Sequence, residues 1–303
     1  MLFRSAATTY GGIDYAPVYN YSYYIKNNPD VKRAYGNSQA KAIRHFALYG
    51  TKEGRQGSAS FNVVFYKNRY ADLKKAYGNQ TQKYYLHYIR YGRKEGRFAT
   101  AAEEQNWQKS RKYIMIGDSN ACIGMNGHSN SVSWPELMTK QLGLSKSQVR
   151  YLRAGGYGFA GLYGQFIKLL KTVNADPKVT DILIVGGAGN DFRHTQGEIV
   201  KAYNTFVKEA KRRFPNARIM HAVPNWHLTS TAYQNGVIKN IPLYQQLAKA
   251  NGVIYITGTE KVLRGKKAYF FSDNLHWNLK GEQAVVAALA PKVKALDKNR
   301  YRS

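Results

Sequence analysis

Residues 112–120 read KYIMIGDSN: a short apolar run, Lys112 to Ile116, leads straight into Gly117-Asp118-Ser119-Asn120. Such a run is the length of a buried strand, and the Gly-Asp-Ser that follows stops it in a turn. Working outward, similar runs recur at Gln148 to Leu152, Asp181 to Val185, Ala217 to Val223 and Val253 to Ile256. Between and after them, helical patterns fall near 134–142, 160–173, 196–213, 240–250 and 278–296. Strand and helix in alternation predict an α/β domain of three layers, α/β/α, around a mainly parallel five-stranded sheet. In such a sheet ligands meet the carboxyl ends of the strands, so the residues just after each run are the ones to inspect.

After the first run stands Ser119, exposed at a strand end; taken alone, a serine there is most often a turn or cap residue. The second run ends in Gly155-Gly156-Tyr157-Gly158 and the third in Gly186-Gly187-Ala188-Gly189-Asn190-Asp191. Glycines let bare backbone N–H groups approach a ligand, and an asparagine amide can donate to a developing oxyanion. Before the last helix lies Ser272-Asp273-Asn274-Leu275-His276-Trp277-Asn278. An Asp and a His three residues apart in a turn can meet, so that the carboxylate orients the imidazole as a serine base requires. The plainer reading makes Asp273 a cap and His276 a surface ring. Each signal is commonplace, but three loop signals at consecutive strand ends followed by Asp-x-x-His are not.

Together these residues resemble the GDSL, or SGNH, hydrolase superfamily of serine esterases and lipases, over about 111–296. The resemblance implies a flavodoxin-like α/β/α hydrolase domain, a carboxylic ester hydrolase, and roles for particular residues. Ser119 would be the nucleophile and lend its own N–H to the oxyanion hole. Gly158 would give a second N–H, with Gly155 and Gly156 the other candidates, and Asn190 a side-chain donor. Asp273 and His276 would complete the catalytic triad. The usual Gly-x-Asn-Asp is altered, because Ala188 stands two residues before Asn190 and the glycine is displaced to Gly187 or Gly189. Asn225-Trp226-His227 follows the fourth run, and Trp226, His227 and Trp277 are candidates for lining the substrate mouth.

The first hundred residues have another texture. With a period of 42, Asp30 recurs as Asp72, Ala34-Tyr35-Gly36-Asn37 as Ala76-Tyr77-Gly78-Asn79, His45 as His87, and Lys52-Glu53-Gly54-Arg55 as Lys94-Glu95-Gly96-Arg97. Each unit reads as two short helices, with Asn28 capping Pro29 onward, Gly36 as a stop and a second helix over about Gln39 to Tyr49. This predicts a small all-α repeat region. Of the 25 tyrosines, 15 lie within 1–100, and the in-register pairs Tyr24/Tyr66 and Tyr35/Tyr77 suggest aromatic cores before an aromatic binding surface. His45 and His87 are expected as hydrogen-bonded core histidines, since no Asp, Glu or Cys accompanies them as a metal ligand would. The repeats resemble tandem 42-residue modules of secreted, cell-wall-associated clostridial proteins, which implies an extracellular setting and wall attachment. The predicted organisation is an extension over 1–19, two repeats over 20–98, a linker or short helix over 99–110 (AAEEQNWQKS from Ala101) and the hydrolase domain over 111–298.

Composition limits the partners. Forty-six Lys and Arg against 18 Asp and Glu give a net charge of +28, spread along the chain and attractive to any polyanion. The apolar runs are far shorter than the ~20 residues of a membrane-spanning helix, so no transmembrane segment is expected. Met1 to Thr9 lack the apolar core of a secretory signal; with wall-associated repeats, the signal is expected to lie outside this sequence, and a cytoplasmic location is the alternative. Cys122 is the lone cysteine, which rules out an intrachain disulfide and a Cys-based zinc site; it reads as a small buried hydrophobe. His128, His194 and His221 have no ligand-spaced partners, so neither metal nor cofactor is expected. The expected substrate is an ester, with an O-acylated glycan the candidate, and an anionic wall polymer is the expected partner of the repeats. Two alternatives use the same features: a wall-binding protein with an inactive hydrolase-like domain, and an SGNH acyltransferase. Specific nucleic-acid binding is disfavoured, because neither a recognised motif nor a two-metal carboxylate cluster is visible.

Overall fold

The computed structural model describes residues 8–124, 131–224 and 226–299. The chain forms two compact units, one of the residues up to Trp107 together with those from Asp297 onward, the other running from Gln108 to Leu296.

The first unit begins with a two-stranded ladder, β1 (Thr9–Tyr10) against β2 (Ile13–Asp14). The first repeat is then α1 (Tyr21–Asn27), α2 (Pro29–Tyr35), α3 (Gln39–His45), a π-turn over Phe46–Gly50 and α4 (Thr51–Glu53). The second repeats the pattern 42 residues on: α5 (Val63–Arg69), α6 (Ala71–Tyr77), α7 (Thr81–His87) and a π-turn over Tyr88–Gly92. Each unit therefore holds three helices before its π-turn, and not two. The missed helix precedes Asn28, which does not cap α2 with its side chain. Instead its amide Nδ2 donates to the Tyr24 carbonyl, satisfying the orphaned end of α1.

The repeated residues are contact partners. Tyr24 and Tyr66 hydroxyls bond Nδ1 of His45 and His87 at 2.9 and 3.0 Å. Arg55 and Arg97 reach back to Asp30 and Asp72 at 2.6 and 2.7 Å, clipping the end of each repeat to its start. Tyr19, Tyr24, Phe46, Phe61, Tyr66 and Tyr85 fill one aromatic core. The stretch after Thr100 is a helix, α8 (Ala101–Ser110).

In the second unit, β3 (Tyr113–Gly117) leads through α9 (Trp134–Gln141) to β4 (Val149–Arg153). A small ladder, β5 (Tyr157–Gly158) with β6 (Gly164–Gln165), precedes α10 (Phe166–Lys171) and β7 (Asp181–Val185). There follow α11 (Ala188–Asp191), α12 (Gln196–Arg213), β8 (Arg218–Ala222), α13 (Thr231–Ala250), β9 (Ile254–Tyr255) and α14 (Leu279–Asn299).

The five-stranded sheet is parallel throughout, in the order β4-β3-β7-β8-β9. Side-chain alternation divides its two faces: Ile114, Ile116, Ile182 and Ile184 pack on one side with α10, α12 and α13, while Tyr113, Met115, Leu183 and Val185 pack on the other with α9 and α14. This is the predicted three-layer architecture. The chain leaves β3 for one edge and later returns to its other side as β7, so the strand order reverses between β3 and β7. A crevice opens at the carboxyl ends of strands at such a point.

Candidate active site

Ser119 stands at that crevice. The chain leaves β3 through Gly117, where an added Cβ would lie 2.5 Å from the Ala121 Cβ, so only glycine permits the tight return into the 3-10 turn Ser119–Ala121. Asp118 is buried and accepts the Asn120 N–H at 3.0 Å, fixing the turn. Behind it, Arg153 at the end of β4 donates to the Ala121 carbonyl at 2.9 Å and to Glu136 at 2.8 Å. Glu282, 1% exposed, accepts the Trp134 N–H at 2.9 Å. Burial holds the Glu282 carboxyl well above the usual carboxylate range. Ser119 itself is half-buried.

The Asp273–His276 turn closes as the spacing predicts. Asp273 Oδ1 accepts the N–H groups of Leu275 and His276 at 2.9 and 3.0 Å, and Oδ2 meets His276 Nδ1 at 2.6 Å. Asn274 makes the tight geometry possible with φ 55°, the one positive φ outside glycine among the described residues. With Nδ1 turned to the carboxylate, Nε2 is the basic nitrogen of His276. A bond spanning 157 positions brings the two halves together: the Asn120 Oδ1 accepts the Trp277 N–H at 2.9 Å. The neighbours of Ser119 and His276 are thus tied directly.

The third loop resolves the displaced glycine. Gly186 and Gly187 take the left-handed φ values of 108° and 95°, after which α11 begins and carries Asn190. Asn190 Nδ2 donates to the Tyr157 carbonyl at 2.8 Å, so the asparagine loop is bonded to the loop holding Gly158. A residue the sequence reading passed over organises both. Asp191, wholly buried, accepts the N–H groups of Phe159, Ala160 and Gly161 at 3.2, 3.0 and 2.6 Å and the Tyr244 hydroxyl at 2.6 Å. Burial raises its pKa, against those four donors. The signal was present as the Asp following Asn190. Gly158 sits against it, and a Cβ there would be 2.3 Å from Asp191 Oδ1.

Among the suggested mouth residues, Trp277 is withdrawn. Its ring is 2% exposed inside the core on the α14 face, because the chain turns inward to reach Asn120. Trp226 is half-buried beneath the Arg264 guanidinium. His227 is buried, and its Nδ1 accepts from the Thr229 N–H at 3.1 Å and faces the Thr229 hydroxyl at 2.6 Å. Burial lowers its pKa to about 4. The next residue, Leu228, donates its N–H to the Asn274 carbonyl at 2.8 Å, joining this loop to the Asp273–His276 turn. Asn225 and His128 lie outside the described residues.

Cys122 is no rival nucleophile, since burial and the nearby Asp118 push its thiol up to about 11. His194 bonds the Gly161 carbonyl at 2.9 Å, and His221 is buried with Nε2 on the Gly186 carbonyl at 3.1 Å. Among the described residues, no three His, Cys, Asp or Glu side chains converge as metal ligands would, and no helix is long and apolar enough to cross a membrane.

A parallel sheet with a serine turn, an Asp–His pair and a glycine and asparagine loop at its switch point defines the hydrolase class. Residues 115–284 match the GDSL-like lipase/acylhydrolase family, and the chain belongs to it, within the SGNH superfamily of carboxylic ester hydrolases. No curated protein matches the chain. Among solved structures it is similar to a family two carbohydrate esterase from Clostridium thermocellum in complex with cellohexaose, at 16% identity and a TM-score of 0.49 over 62% of this chain. The match spans 65% of that protein, just under two thirds of its length. It is also similar to a lipase/acylhydrolase from Enterococcus faecalis, at 16% identity and a TM-score of 0.47 over 61% of this chain and 96% of that one. For phospholipase A1 from Streptomyces albidoflavus the figures are 12%, 0.42, 61% and 98%.

Proposed function

We propose that the protein cleaves esters through a covalent acyl-enzyme on Ser119, deacylating carbohydrate or cell-wall esters. The observation that carries this reading is the Asp273–His276 contact at 2.6 Å on a loop bonded to the nucleophile turn through Asn120. His276 Nε2 takes the proton of the Ser119 hydroxyl as its oxygen attacks the ester carbonyl, and Asp273 stabilises the imidazolium that forms. The oxyanion is held by the N–H groups of Ser119 and Gly158 and the amide of Asn190. His276 then protonates the leaving alcohol, water attacks the acyl-enzyme with His276 as base, and Ser119 is restored.

The choice of carbohydrate or wall ester rests on the basic repeats, which resemble modules of secreted wall-associated proteins and would hold the enzyme on an anionic wall polymer outside the cell. The test uses a short-chain aryl ester. Ser119→Ala and His276→Ala should each abolish cleavage with the fold intact, whereas Asp273→Ala leaves more residual activity, because it orients the base without exchanging a proton with substrate. An arylphosphonate should add its mass to the peptide containing Ser119. Near-full turnover by Ser119→Ala would refute the reading.

A further inference from the structure

Between Thr257 and Ser272 the chain carries Lys261, Arg264, Lys266 and Lys267 against a single acid, Glu260. That acid is spent internally, since it is buried and accepts the Gly258 N–H at 2.6 Å. Two of the four cations lie over aromatic rings, the Arg264 guanidinium 5.0 Å from the centre of Trp226 and the Lys266 ammonium 5.1 Å from that of Tyr269. Among the described residues no carboxylate is in an ion pair with any of the four. Arg264 is half-buried; its Nε is enclosed without a partner, whereas its two terminal nitrogens are open to solvent. A guanidinium seated on a ring and left without a carboxylate is preorganised for an anion from outside, and its partial burial strengthens the attraction.

The loops put this guanidinium beside the catalytic turn. Trp226 follows β8 and Arg264 follows β9, so both stand at the carboxyl ends of the sheet, where the crevice opens. Leu228, two residues past Trp226, donates its N–H to the Asn274 carbonyl at 2.8 Å. The segment after Arg264 runs antiparallel to the same turn: Phe271 donates its N–H to the His276 carbonyl at 2.9 Å, Phe270 bridges Trp277, and Asn278 donates to the Tyr269 carbonyl at 3.0 Å. In the proposed mechanism His276 protonates the departing alcohol, while Gly158 and Asn190, on the loops after β4 and β7, hold the carbonyl oxygen. The cationic segment is bonded to the first of these and so belongs to the alcohol side. We infer that Arg264, seated on Trp226, binds an anionic group, carboxylate or phosphate, on the alcohol portion of the ester, so that the enzyme selects esters carried by an acidic glycan or a polyol phosphate over neutral ones. The inference rests on the assignment of Ser119 and His276, and it adds the charge of the substrate and the residue that reads it.

The test compares 3-acetoxybenzoate and 3-acetoxyphenyl phosphate with the neutral 3-acetoxybenzamide, three aryl acetates of similar size. The wild-type protein should favour at least one charged ester in kcat/KM by about tenfold or more, the worth of a hydrogen bond between charged groups, and the larger of the two preferences tells carboxylate from phosphate. Arg264→Gln should erase that preference mainly through KM, and Arg264→Lys, which keeps the charge without the planar fork, should retain part of it. Because the whole chain is cationic, Lys208→Gln is the control: it removes the same charge from an exposed position on α12, in the other helical layer, and should leave the preference in place. Equal losses on all three esters in Arg264→Gln would reduce the guanidinium to a cover for Trp226 and overturn the inference, as would an unchanged preference. A loss as large in Lys208→Gln would assign the effect to net charge and overturn it too. A wild-type protein that cleaves the three esters in a Ser119-dependent manner without preferring either charged one would refute the inference and leave the esterase reading standing. If the wild type cleaves no ester at all, the esterase reading fails and the inference with it.

Discussion

At the residue scale, Asn190 carries a sharp expectation. One amide hydrogen is given to the Tyr157 carbonyl, which orients the group, and in the proposed mechanism the second is donated to the oxyanion. Asn190→Ala should lower kcat by about two to three orders of magnitude with little effect on KM, because the donor serves the transition state more than the ground state. A loss below about threefold would mean that another group completes the hole. His221 carries a different one. Buried among Phe159, Tyr203 and Tyr244, its pKa falls to about 4, whereas an unfolded histidine titrates near 6.5. The unfolded chain therefore binds the proton first as pH falls, and stability is lost between about pH 6.5 and 4, roughly 2 kcal/mol of it by pH 5. Asp191 and Glu282, with raised pKa values, act with the opposite sign. The term is isolated by comparing wild type with His221→Gln, which keeps a donor toward Gly186 and does not titrate. The variant's thermal midpoint should fall less between pH 7 and 5, and equal slopes would refute the assignment. What was legible here were residues acting over short range: the Asp273–His276 contact is built into a four-residue turn. The Asn120–Trp277 bond spans 157 positions and left no local trace, which is why Trp277 read as a mouth residue when it is core.

At the scale of elements, strand runs and most helices were readable because their periodicity reflects two buried faces. The linkage between loops was not. Asp191 gathers three N–H groups from the loop after β4 and a hydroxyl from α13, a pattern visible only once β7 lies beside β3. Gly158→Ala tests it. The new methyl would fall 2.3 Å from a carboxylate that four donors hold in place, so the loop must shift. Overpacking of this kind costs about 1–3 kcal/mol, which lowers the midpoint by some 2–10 °C in a domain of this size, and esterase activity should fall with it. Gly197→Ala in α12, where nothing lies within 4 Å, is the control and should be neutral or slightly stabilising. An unchanged midpoint in Gly158→Ala would mean that Asp191 is not fixed. In the repeats the period itself gave the contacts away. Gly50 and Gly92 recur because a Cβ would strike the Tyr24 and Tyr66 hydroxyls that bond His45 and His87. The helix before Asn28 escaped notice because its polar and tyrosine-rich sequence lacks an aliphatic stripe.

At the scale of the molecule, the first unit has its own aromatic core and its own Asp–Arg clips, and the second has a core on each face of its sheet. A fragment spanning 101–303 should therefore fold and cleave a short-chain aryl ester at close to the rate of the whole chain. Attachment is the proposed task of the other unit. Residues 1–100 hold 17 basic and 5 acidic side chains, a net +12, so binding to an anionic wall polymer should weaken as salt screens the charge. An opposing feature stands in the same unit: Tyr49 and Tyr91, 55% and 56% exposed, occupy equivalent positions beside His45 and His87 and would suit stacking on a neutral glycan. Salt separates the two. The whole chain should sediment with isolated Gram-positive walls at low salt and be released near 1 M, where the screening length is about 3 Å, and the 101–303 fragment should stay in solution throughout. Sedimentation that resists salt but is lost in Tyr49→Ala/Tyr91→Ala would transfer the attachment to the aromatic positions, and equal sedimentation of the fragment would remove the attachment role from the repeats.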